Sequence, residues 1–242
     1  MKNILFNIIL FIIGCVIGGL CAVESRDIPK MLDLKKTNYK NKPKEELISE
    51  LTYISICGVS AVVMANVLGI NMYQFSISNL IIYIFSMLYI STMVLIAGID
   101  RIYTRIEKKT LAFGIVCSIV YMLYLCVVDL ASIQLNITYL AIYLILLVID
   151  SFLLRRYAKD SYIIDLLLLL MMILVFTDLR ILTYTIVMVV IAIALYVIFL
   201  NIQKKKNGNK KIKINEIPVG FFVAASNVIV LFMVKIFESY LI

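Results

Sequence analysis

The sequence contains no histidine. That single absence removes His-based catalytic triads, the commonest metal ligand and the usual general base of neutral-pH chemistry. Cysteine is present but never clustered: Cys15, Cys21, Cys57, Cys117 and Cys126 stand singly inside apolar stretches, with no Cys-x-x-Cys among them. Neither a disulfide framework nor a zinc ribbon is therefore expected. Charge is also scarce. Only 16% of the 242 residues are charged and 63% are hydrophobic, whereas a water-soluble domain is about half apolar and could not hide such an excess.

The formal net charge of +8 raises the question of nucleic acid. A nucleic-acid binder gathers its basic residues on a folded soluble surface. Here they sit in short connections between apolar runs, where membrane topology and anionic lipid headgroups account for them. The expected partner is a lipid bilayer, with no nucleic acid.

Runs of about 20 mostly apolar residues recur along the chain, the length that a hydrocarbon core of about 30 Å requires of a spanning helix. They give eight candidate spans at 3–23, 48–68, 75–98, 111–130, 135–154, 163–176, 179–200 and 217–237. The first follows Lys2, yet it exceeds the about 7 to 15 residues of a signal's apolar region and no small-x-small site precedes a soluble domain, so it reads as a retained helix. The sixth is short and carries Asp165 at its start, which predicts a wet or protein-lined setting for its first turn. Residues 24–47 are too few for a second domain, and the chain reads as one membrane domain, 1–242.

Lysine and arginine fall in alternate connections. Seven lie in 24–47, four follow Gly98, three follow Leu154 and six follow Leu200, which together make 20 of the 23. By the positive-inside rule these four loops are cytoplasmic and both termini face outward, an arrangement that requires an even number of spans. The expected fold is all-α, a polytopic integral membrane protein of about eight transmembrane helices in the cell membrane. On this reading the lysine run at 204–213 is a topology determinant, Met171 and Met172 are packing residues, and Gly18, Gly19 and Ala22 allow close helix contacts.

Carboxylates at the ends of apolar runs are the candidates for chemistry. Asp100, Asp150 and Asp165 fall at the cytoplasmic ends of spans three, five and six, at similar depth, while Asp129 and Asp178 lie on the outer side. Asp100, Asp150 and Asp165 each also have a structural reading, as a helix cap or as a partner of Arg101, Arg155 or Arg156. Two carboxylates held together in a protected site cannot both ionise easily; one keeps a proton while the other acts as base toward a bound water. With histidine absent and no serine or cysteine set beside a base in a recognisable motif, such a pair is the hydrolytic machinery the composition offers. Composition alone does not choose its members.

Four segments carry a family resemblance. Leu95-Ile96-Ala97-Gly98-Ile99-Asp100-Arg101-Ile102-Tyr103-Thr104-Arg105-Ile106 resembles the first catalytic motif of type IV prepilin peptidases, with Glu107 where a proline is usual. Gly18-Gly19-Leu20-Cys21-Ala22-Val23 through Ile28-Pro29 is similar to the family's first-helix ending. Leu47-Ile48-Ser49-Glu50-Leu51-Thr52 is similar to the opening of its second span, and Ile217-Pro218-Val219-Gly220-Phe221-Phe222-Val223-Ala224 to the motif of its last helix. The four are collinear over nearly the whole chain.

The resemblance implies a membrane aspartyl endopeptidase that cuts the short basic leader from a pilin-like precursor at the cytoplasmic face. It also implies that Asp100 and Asp165 are the catalytic pair. In the family the second aspartate sits in Gly-x-Gly-Asp; here the stretch is Tyr162-Ile163-Ile164-Asp165, so the aspartate is kept, both glycines are absent and the local geometry must differ. Asp150 stays open as the alternative partner. The region 24–47 lacks the cysteine pairs of the family's zinc-ribbon-like insert, and no glycine-rich cofactor loop is found, so no metal, no cofactor and no methyl transfer are expected. Two other readings remain: a catalytically degenerate relative that binds pilins or aids their assembly, and an ion-coupled transporter whose motif matches are coincidental.

Overall fold

A computed structural model describes residues 2–31, 43–70, 76–128, 133–149, 161–206 and 217–241. Among them the chain is helical, in eight elements: α1 (Lys2–Met31), α2 (Pro43–Val67), α3 (Ile77–Tyr103), α4 (Lys108–Val128), α5 (Ile133–Ile149), α6 (Ser161–Phe176), α7 (Leu179–Lys206) and α8 (Val219–Leu241). Helices are what the composition demands, because backbone groups facing lipid have no partner but their own segment. Six helices, all but α5 and α6, are long and apolar enough to cross a membrane. At 1.5 Å per residue α6 is about 24 Å long, short of a hydrocarbon core of about 30 Å. The chain is thus a polytopic all-α membrane protein. Asp129, Asp150, Arg155, Arg156 and the 207–213 part of the lysine run lie outside the described residues.

The first two helices form a tight antiparallel pair. Asn7 faces Asn66, Gly14 faces Cys57, Gly58 and Ala61, and Gly18 faces Tyr53 and Ile54. A Cβ on Gly14 would stand 2.5 Å from the Cys57 carbonyl oxygen, and one on Gly18 2.5 Å from that of Tyr53. Backbone meets backbone here, as small residues permit between membrane helices. Ala22 is buried on the same helix. Gly19 takes no part, contrary to the expectation for it: a Cβ there would meet nothing within 4 Å.

The centre of the bundle is α3, which packs against α1, α2, α4 and α8, while α6 packs against α4, α5, α7 and α8. Met172 of α6 is fully buried against Gly114 of α4, as its assignment to packing predicts. Phe176 at the end of α6 stacks on Tyr89 of α3, with ring centroids 3.8 Å apart and planes 3° from parallel, and also meets Tyr121 of α4. In the same layer the Tyr89 hydroxyl donates to Asn227 Oδ1 of α8 at 2.7 Å, and Asn227 Nδ2 donates to Thr185 Oγ1 of α7 at 3.2 Å. All three residues are buried. The satisfied polar chain joins three helices where lipid offers no substitute partner. Much of α1 and α7 faces outward with exposed Ile, Leu and Val, a surface that fits the acyl chains of a bilayer.

Helix starts have visible causes. Glu107 accepts from the Thr110 N–H through Oε2, while its carbonyl takes the Leu111 N–H at 3.0 Å, so it is the N-cap of α4. A proline at this position has no side-chain acceptor for that bond. Replacing Glu107 with alanine is expected to cost about 1 kcal/mol and to lower the melting midpoint in detergent by about 2–4 °C. Asp178 caps α7 in the same way, accepting from Ile181 N–H at 2.7 Å.

Candidate functional site

Asp100 lies in the last turn of α3, with no solvent exposure. The helix ends just beyond it at Thr104, which adopts φ 50°, ψ 41° and returns its N–H to the Asp100 carbonyl at 2.8 Å. A β-branched residue in the left-handed region is an outlier. Its effect is to turn the chain sharply beyond Asp100, so that Ile106, like the Asp100 carboxyl, comes up against Gly220.

A carboxylate near a helix C-terminus opposes that helix's own dipole. The remedy comes from α8. Pro218 precedes its first turn, and the Phe221 N–H of that turn donates to Asp100 Oδ2 at 2.8 Å. Asp100 thereby caps another helix, and the positive end of α8 faces its charge. Gly220 makes the approach possible: a Cβ there would stand 3.1 Å from Asp100 Cγ, Asp100 Oδ2 and Ile106 Cγ1 alike. The Arg101 guanidinium lies 6.0 Å from the Phe221 ring centroid, over the same corner.

The second contact to Oδ2 comes from α6. The Tyr162 hydroxyl donates to Asp100 Oδ2 at 3.1 Å and accepts the Gly220 N–H at 2.9 Å. Helices α3, α6 and α8 thus meet at one carboxylate oxygen. Asp100 Oδ1 is buried and has no hydrogen-bond partner among the described residues.

Asp165 stands three residues beyond Tyr162, which is one turn along the same face of α6, and is 5% exposed. The face of the first turn that carries Asp165 is therefore lined by protein, while Ile163 on the other side is exposed. Because Tyr162 at the start of α6 meets Asp100 and Phe176 at its end meets Tyr89, α6 runs antiparallel to α3, and Asp100 and Asp165 lie at the same end of the bundle. Residues 162–164, where the two glycines are absent, are ordinary helix, and Thr104 is the non-glycine residue with positive φ among the described residues. Asp150, the alternative partner, lies outside the described residues. Among those residues no three acidic or cysteine side chains are grouped to hold a metal ion.

Sequence reasoning placed both aspartates but not their surroundings. Tyr162 was readable only as the residue in a glycine's place; its hydroxyl shares the Asp165 face at i, i+3 spacing, which is the signal available. The roles of Gly220 and Phe221 sit inside Ile-Pro-Val-Gly-Phe-Phe, a segment whose composition says nothing of an aspartate 121 residues earlier. Comparison with protein-family models, with curated proteins and with solved structures yields no match for this chain.

Proposed function

We propose that this chain is a membrane aspartic endopeptidase, similar to type IV prepilin peptidases, that removes the basic leader of a pilin-like precursor at the cytoplasmic membrane face. The observation that carries the reading is the state of Asp100. One carboxylate oxygen is fixed by Phe221 and Tyr162, the other is buried with no hydrogen-bond partner among the described residues, and a second buried carboxylate follows one turn beyond Tyr162. Two such groups at one end of a bundle form a general acid–base pair. The ionised member takes a proton from water as the water oxygen bonds to the scissile carbonyl carbon. The protonated member gives its proton to the leaving nitrogen as the C–N bond breaks. The two titrate as a unit.

The topology of this reading has eight crossings, α5 and α6 included, with both termini outside and the basic loops toward the cytoplasm. That orientation turns the Asp100 and Asp165 end of the bundle to the side where a leader rich in lysine and arginine waits. Co-expression with a type IV pilin precursor tests it: the wild type is expected to yield shortened pilin, and Asp165→Asn full-length precursor. Processing that survives both Asp100→Asn and Asp165→Asn sinks the assignment.

One observation favours a second reading. Asp100 already has a structural task as the cap of α8, as a residue kept for fold alone in a catalytically degenerate pilin-binding relative would have. That relative binds precursor without cutting it and is indifferent to both substitutions.

A further inference from the structure

We infer that Tyr162 is a positioning residue of this site: its hydroxyl ties Asp100 to the start of α8 and so dedicates Oδ1 to the reacting water. The catalytic half of this inference rests on the peptidase reading; the tether itself does not.

The geometry has a direction. Gly220 N–H donates to the Tyr162 oxygen, and the Tyr162 O–H is left to donate to Asp100 Oδ2, so donor follows donor along one path from the α8 backbone to the carboxylate. Phe221 N–H reaches the same Oδ2 directly. Two donors on one oxygen leave no freedom for the carboxyl to rotate, and they stabilise charge at Oδ2. Oδ1, buried and with no hydrogen-bond partner among the described residues, is the acceptor left over. A carboxylate acting as base must present one oxygen at a set place, and such placement comes from neighbours that are themselves held. Tyr162 is held by both its bonds and by its place in the first turn of α6. Glycine, which the related motif carries at this position, has no atoms to supply them.

Tyr162→Phe removes one hydroxyl and keeps the ring, so the protein is expected to fold, and the Gly220 N–H left without its acceptor should lower the melting midpoint by about 2–4 °C. Two measurements on the full chain in detergent then decide. Amide hydrogen exchange at Gly220 and Phe221 should quicken about tenfold in Tyr162→Phe, the order of effect of one lost hydrogen bond. With a type IV pilin precursor as substrate, kcat should fall about tenfold with KM unchanged, since losing one bond to a charged group removes at least that much. Gly220→Ala, which crowds the same oxygen from the α8 side, should lower kcat likewise. Unchanged exchange in Tyr162→Phe overturns the tether even where the wild type cleaves normally. Quickened exchange with wild-type kcat, or a fall of kcat matched by an equal fall of substrate affinity, overturns the positioning role. If the wild type leaves the precursor whole, or Asp100→Asn cleaves it, the peptidase reading and the catalytic half fall together, while the exchange result still decides the tether.

Discussion

Asp100→Asn is expected to leave about a thousandth of the wild-type cleavage rate while the protein still folds. The amide matches the carboxylate in shape, and its oxygen can still accept from Phe221 N–H, so the cap on α8 is kept in weaker form. What it cannot do is take a proton from water, and loss of a positioned acid or base costs about 10²–10⁴ in rate. Asp100→Ala makes the contrast. It strands the Phe221 N–H and the Tyr162 hydroxyl in a buried place, at about 1–3 kcal/mol for each unsatisfied group, and should lower stability as well as abolish cleavage. Initial rates on a purified pilin precursor and melting in detergent separate the two effects. An asparagine variant that keeps more than a tenth of the rate removes Asp100 from the chemistry and leaves it the cap alone.

The helices were legible because the physics behind them is local: an apolar run of bilayer length has few other fates, and each of the eight runs has a described helix. Asp100 and Asp165 were legible for a related reason, since a carboxylate at the edge of such a run must find protein or water. The arrangement around them was not. Tyr162 meets Asp100 across 62 positions and Gly220 across 58, and those meetings depend on how α3, α6 and α8 rotate about their own axes, which no apolar pattern specifies. The glycines teach the same lesson at closer range. Gly18 and Gly19 are neighbours, yet successive helical side chains point about 100° apart, and Gly18 alone faces α2. Glutamate is not a favoured N-cap, so the task of Glu107 was hidden too.

That interface carries the second large effect. Placing alanine at both Gly14 and Gly18 is expected to disrupt the α1–α2 pair. The obstacles are mainly backbone: Cys57 O at 2.5 Å and Gly58 Cα at 2.8 Å for Gly14, Tyr53 O at 2.5 Å and Ile54 Cα at 2.6 Å for Gly18. No rotamer change relieves such contacts, so the helices must move apart, and overpacking of this kind costs about 1–3 kcal/mol per site or more. For a chain of this size two such changes lower the melting midpoint by about 10 °C. Gly19→Ala is the control, since its methyl meets open space and alanine is the better helix former by about 1 kcal/mol. A double variant that melts with the wild type would mean that α1 and α2 do not touch along this line.

The carboxylate of Asp100 and the amide that caps it are made at different times. A ribosome adding about 5–20 residues per second finishes α3 and then works through the 121 positions to Phe221, an interval of about ten seconds. Tyr89 waits over the same stretch for Asn227, and α3 carries both expectant groups into the membrane. Until α8 arrives, the carboxyl has neither its backbone donor nor the far end of its tyrosine strut. Between those two events the Asp100 carboxyl stands uncapped on a finished helix, and the arrival of the first turn of α8 supplies both the Phe221 donor and the Gly220 anchor of Tyr162 at once.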